Sequence, residues 1–197
     1  GLVHRWTFND AKAPLVDDIA RVSLTNGGDV TLKDGMAIFN GSPASFLYST
    51  DPRVNSERLG GEKPFTIWVK FQVDSFSETE NMRLIRRNID GTTKNTSFSL
   101  NLYRDTFSTG VIKGAPNPKT PSIKKESAVA LAFSPKLHKR YSNGEEQEKV
   151  LNNISLNDLG IFTVGQLVYH DGEEPEGMGQ AFIGRIDEIR IYDGCLS

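Results

Sequence analysis

The chain has little of what usually lets chemistry be read from a sequence. One cysteine, Cys195, stands among 197 residues, so no internal disulfide can form and a small disulfide-stapled scaffold is excluded. The three histidines lie in different segments, which leaves nucleophilic catalysis by a short motif with little to work on. No apolar run approaches the roughly 18 residues of a membrane-spanning helix, so membrane insertion is not expected. Neither charge sign prevails, with 23 basic against 25 acidic residues; bulk electrostatics therefore argue against a nucleic-acid or anionic-membrane partner. A helical period of 3.6 persists nowhere, and no signal-peptide segment precedes the strand pattern that opens at Leu2.

What the chain does have is turns and alternation. Its 18 glycines and 9 prolines punctuate about a dozen short segments of period two. Leu2, His4, Trp6 and Phe8 share one parity. A histidine on that apolar side reads as a hydrogen-bonded core residue rather than a ligand. Asp17 and Asp18 fall in a loop. The clearest strand puts Phe65, Ile67, Val69, Phe71 and Val73 on one face, with Thr66, Trp68, Lys70 and Gln72 on the other. A later strand sets Phe98, Leu100 and Leu102 against Ser99, Asn101 and Tyr103. Asn143-Gly144 between two strand patterns is a strong hairpin signal, because both residues tolerate positive φ. Gly114 to Pro121 reads as a surface loop. These elements predict one all-β domain over residues 1–197, a two-sheet antiparallel β-sandwich.

The last strand, Phe182 to Asp193, carries the sharpest chemical oddity. Ile183, Ile189 and Ile191 fall on one parity, and Asp187 falls with them. A carboxylate on the core side of a strand needs hydrogen bonds, a counter-charge or a metal, since an unpaired one costs several kcal/mol. Capping of backbone N–H groups, pairing with an arginine and cation binding all remain open for it.

Several stretches together resemble the concanavalin A-like, laminin G-like domains of secreted bacterial proteins. They are Leu2-Val3-His4-Arg5-Trp6-Thr7-Phe8, Ala37-Ile38-Phe39-Asn40-Gly41-Ser42, Phe65 to Phe71, Ala130 to Ser134 with the hairpin to Glu145, and Phe182 to Tyr192. They occur in the family's order across the whole chain. The resemblance implies a jelly roll whose first and last strands lie side by side. Carried over from related laminarinase-type glucanases, it also implies a structural Ca²⁺ held by the Asp187 carboxylate, the Gly41 carbonyl and a group near Asn9. The chain departs from the family at Glu126-Ser127-Ala128-Val129, where Trp-His-His is usual. It also lacks the Glu-x-Asp-x-x-Glu strand that those glucanases need for paired carboxylates.

The expected role is therefore a non-catalytic carbohydrate-binding or adhesion module of a larger secreted, periplasmic or cell-surface protein. Its partner would be a glycan or polysaccharide, or alternatively another protein; a divergent hydrolase or lyase is a further alternative. If the two strands share a sheet, Trp68, Lys70, Asn101 and Tyr103 make a polar surface with two aromatic platforms for sugar rings. Cover over Trp68 by a crossing loop is the competing reading. His170 and Asp171, in the last long loop, are a second candidate binding group.

Overall fold

The computed structural model describes residues 1–89, 92–110, 122–151, 156, 160–170 and 174–196, with backbone only at 88–89 and 92–97. Along the chain the strands are β1 (Leu2–Trp6), β2 (Thr25–Asn26), β3 (Thr31–Lys33), β4 (Met36–Asn40), β5 (Leu47–Ser49), β6 (Phe65–Val73), β7 (Asn81–Ile89) and β8 (Thr92–Tyr103). They continue as β9 (Thr106–Gly110), β10 (Glu126–Phe133), β11 (Leu137–Ser142), β12 (Glu145–Leu151), β13 (Ile161–Val164), β14 (Val168–Tyr169), β15 (Glu176–Gly177) and β16 (Ile183–Tyr192). One helical turn, Asn55–Leu59, precedes β6.

An eight-stranded sheet runs β12-β11-β10-β6-β16-β4-β3, with β1 also paired to β16. A six-stranded sheet runs β2-β5-β13-β7-β8-β9, and β14 and β15 form a small ribbon of their own. The pairings within these sheets are antiparallel, and the chain is a two-sheet β-sandwich. The first and last strands are neighbours, Trp6 opposite Ile189 and Leu2 opposite Tyr192.

The apolar parity of each long strand makes the layer between the sheets. Phe65, Ile67, Val69 and Phe71 of β6 are buried against Phe98, Leu100 and Leu102 of β8. Aromatic rings join the two layers: Phe65 lies 5.1 Å from Phe98, and Trp6 lies 5.8 Å from Phe162. Such rings bury large areas, each worth roughly 2–3 kcal/mol of transfer free energy. The turn between β11 and β12 is the Asn-Gly hairpin, with φ of 50° at Asn143 and 82° at Gly144. Both values lie where glycine and asparagine are cheapest, which fixes the register of the two strands. The stretch Arg21 to Leu24 contributes only an isolated bridge from Ser23 to Val16. Residues 114–121 lie outside the described residues.

Several bulges interrupt the alternation, and two of them matter for the chemistry. In β16, Ile186 faces Phe71 of β6 and Glu188 faces the very next residue, Lys70, so Asp187 is the extra residue. The bulge exchanges the faces: Ile183 is 40% exposed, while Ile186, Ile189 and Ile191 are buried. Asp187 therefore does not sit on the core side, as strict period two implied. In β7, Arg83 faces Asn101 and Ile85 faces Leu100, which makes Leu84 the extra residue there. One inserted residue re-aims everything after it.

Candidate functional site

The residues expected to bind sugar fall on opposite outsides of the sandwich. Trp68 and Lys70 belong to β6 of the eight-stranded sheet, whereas Asn101 and Tyr103 belong to β8 of the six-stranded sheet. They cannot make one surface, because a hydrophobic layer two sheets deep separates them. Each outer face must be judged alone.

On the eight-stranded side, Trp68 is covered by a guanidinium rather than by a loop. Arg190, directly opposite in the register, lies 4.4 Å from the indole centroid. Arg190 also donates from Nε to Glu188 at 2.6 Å. Lys70 Nζ stands 3.8 Å from the Asp187 carboxylate, the counter-charge that this acid needed. Beside the indole is a groove of about 310 Å³ lined by Thr66, Trp68, Tyr141, Arg190, Tyr192 and Leu196. The last residues run across its edge: Thr66 Oγ1 donates to the Gly194 carbonyl at 2.7 Å and accepts from the Leu196 N–H at 3.0 Å.

The three residues nominated for a cation are not brought into one shell. Gly41 lies against Ile183 at the start of β16, and Asp187 is four residues further along that strand, about 13 Å in extended chain. Asn9 places its side chain against Gly35. Among the described residues no cluster of three or more His, Cys, Asp or Glu side chains could hold a metal. The residues present do not fit the implied calcium.

Among the described residues the buried carboxylate is a different one, Asp17. It is fully enclosed and accepts backbone N–H bonds from Ile19, Ala20 and Val22 at 2.9, 2.6 and 2.7 Å. His4 Nδ1 lies 3.2 Å from its other side, and His4 Nε2 lies 3.3 Å from the Arg53 carbonyl. Burial alone would raise this acid, but the bonds from His4 and the three amides outweigh it and hold the carboxyl at about 2. His4 stacks on Trp6, which in turn stacks on Phe162, so the acid ties the β1–β2 loop to the core. The sequence signal for it was His4 itself, a buried polar residue that required a partner.

The six-stranded side carries the other polar assembly. Ser99, Asn101 and Tyr103 of β8 point outward, yet Ser99 and Asn101 are almost wholly buried and Tyr103 is exposed. The bulge at Leu84 brings Arg83 and Arg86, three residues apart, onto this same face opposite Asn101 and Ser99. In an unbroken strand residues that far apart would point to opposite faces. Arg83 Nη1 donates to Asn101 Oδ1 at 2.6 Å, and Asn101 Nδ2 donates to Ser99 Oγ at 3.0 Å. Arg83 Nε donates to Gln180 Oε1 at 2.8 Å. Gly110, opposite Ser99, gives the hydroxyl its room: a Cβ there would stand 2.7 Å from Ser99 Oγ. Burial, and then the neighbouring Arg83 charge, pull the Arg86 guanidinium down to about 10.

Around this assembly runs the segment between β13 and β16. Ala181 bridges to Arg83, and β14 lies beside β8. His170 follows β14 directly and so belongs to the side of Asn101 and Tyr103, not to that of Trp68. Asp171 lies outside the described residues. Arg83, Arg86 and Gln180 were missed from sequence because nothing in a string of residues marks a bulge.

No family model matches the chain, and no curated protein does. Solved structures do share its fold. A Trypanosoma rangeli sialidase in complex with sialic acid superposes with a TM-score of 0.73 at 16% identity, over 100% of this chain and 31% of that one. Domain 4 of AbnA, a GH43 extracellular arabinanase from Geobacillus stearothermophilus, in complex with arabinotriose, gives 0.65 at 19% identity, over 100% and 94%. The CBM40 of the Ruminococcus gnavus IT-sialidase, bound to α2,3-sialyllactose, gives 0.54 at 18%, over 68% and 78%. The chain thus spans about a third of the sialidase and nearly all of the arabinanase domain. All three are β-sandwich domains of carbohydrate-active proteins, and at these identities the likeness is one of fold.

Proposed function

We propose that this domain is a non-catalytic carbohydrate-binding module of a larger secreted or cell-surface glycan-processing protein. Its binding face is the outside of the six-stranded sheet. The observation that carries the reading is the Arg83 assembly: a guanidinium held in place by two neutral amides, Asn101 and Gln180, on a face edged by Tyr103, which is 40% exposed with the Arg104 guanidinium 5.5 Å from its ring centroid. Oriented donors beside an aromatic edge suit a sugar, whose hydroxyls take hydrogen bonds while its C–H face lies on a ring. The neighbours add support, since one was solved with arabinotriose and another with sialyllactose. The laminin G-like landmarks fit the same reading. Among the described residues no helix is long and apolar enough to cross a membrane.

Trp68 and Lys70 are not part of this face, and Asn101 acts in it as the support for Arg83 rather than as the outermost contact. A glycan array on the isolated domain tests the reading. Binding that falls when Arg83 and Tyr103 are replaced, and persists when Trp68 is replaced, is the expected result. An array with no glycan signal would overturn it.

A further inference from the structure

Four arginines of this protein stand against carboxylates, and Arg83 does not. Arg5 pairs with Asp18, Arg53 with Asp51, Arg140 with Glu148 and Arg190 with Glu188. Arg83 is instead bonded to two neutral amides, and among the described residues no carboxylate pairs with it. These amides orient the guanidinium without cancelling its charge. Its Nη2 makes no hydrogen bond within the protein, which leaves that end of the guanidinium for a ligand. Arg86 adds a second positive charge on the same face, close enough for Arg83 to disfavour it. A partly desolvated guanidinium that has no acid beside it among the described residues is stabilised by an incoming anion. A planar carboxylate matches a guanidinium better than any hydroxyl does.

We infer that the glycan taken by this face carries a carboxylate, which docks on Arg83 while the sugar ring lies toward Tyr103. The inference rests on the glycan-binding reading and narrows it to acidic sugars, either sialic acids or uronic acids. Arg86 makes no direct contact with the sugar, because its side chain is almost wholly buried.

Isothermal titration separates the possibilities. 3′-Sialyllactose and trigalacturonic acid supply the carboxylate from its two sources, and their methyl esters supply the same sugars without the charge. The expected result is that at least one acid binds about tenfold or more tighter than its own ester. In Arg83→Gln that ratio falls to near one, and in Arg83→Lys, which keeps the charge but loses the planar fork, it is intermediate. Matching melting temperatures for the variants would show that they are folded. If sugars bind but acid and ester bind alike, the carboxylate inference fails and the glycan-binding reading stands. If neither acids, esters nor neutral oligosaccharides bind, both fail together.

Discussion

The two outer faces of the sandwich treat their charges in opposite ways. On the eight-stranded side the two cations beside Trp68 have each found an acid: Lys70 stands against Asp187, and Arg190 against Glu188 while also lying on Trp68. On the six-stranded side Arg83 is tied to Asn101 and Gln180, which are neutral. Pairing an exposed lysine or arginine with a carboxylate is worth little and leaves nothing for a ligand to gain. Anchoring a guanidinium on amides keeps it fixed and still charged, which favours a ligand that brings the missing anion. The first face is finished; the second is complementary to something outside the chain.

The largest expected effect ignores this distinction and calibrates it. Asp17→Ala strands three buried amide donors, and its cost should be on the order of 3 kcal/mol, read from urea denaturation, with both faces failing together. The same acid sets a pH limit. Its carboxyl is near 2 when folded against an ordinary 3.8, so its contribution is complete above about pH 4 and is lost as pH falls toward 2. A shift of that size is worth roughly 2 kcal/mol, and the Asp17→Ala variant should show a correspondingly flatter acid limb.

Next in size, Arg83→Gln should weaken glycan binding about tenfold or more, with little change in melting, because its loss removes a charge held between neutral partners. Trp68→Ala should do the reverse. It removes the indole from under Arg190 and should cost about 1–2 kcal/mol of stability, with glycan affinity unchanged. If Trp68→Ala abolishes binding, the two faces have been assigned the wrong way round. The smallest effect belongs to Asp187→Asn, which breaks only a pair whose lysine is half exposed; less than about 0.5 kcal/mol is expected. Melting curves in calcium and in chelator should superimpose. A clear drop in chelator would instead support a cation at Asp187, Gly41 and Asn9.

Much of the fold was legible because burial imposes period two. The β6 alternation and the Asn143-Gly144 hairpin follow from side-chain parity and turn chemistry, while the pairing of the first and last strands was implied by the laminin G-like resemblance. The candidate site was not legible, and the reason is physical. A bulge adds one residue without any compositional signature, so parity read across it inverts. At Asp187 this created a buried acid that does not exist; at Leu84 it hid two arginines that share a face. Sheet membership was the other gap. Trp68 and Asn101 have equivalent outward parity in their own strands, and only the order of strands reveals that they point away from each other. The real buried acid, Asp17, sits in a loop where no periodicity operates, although His4 on the apolar side of β1 pointed to a partner.

The central claim is that glycans bind outside the six-stranded sheet. Nuclear magnetic resonance of the labelled domain, titrated with 3′-sialyllactose, tests it most directly. The account predicts shifts at the Arg83 guanidinium and at the amides of Asn101, Tyr103 and Gln180, with the Trp68 indole N–H unmoved. Shifts confined to Trp68, Tyr141 and Arg190 would contradict it.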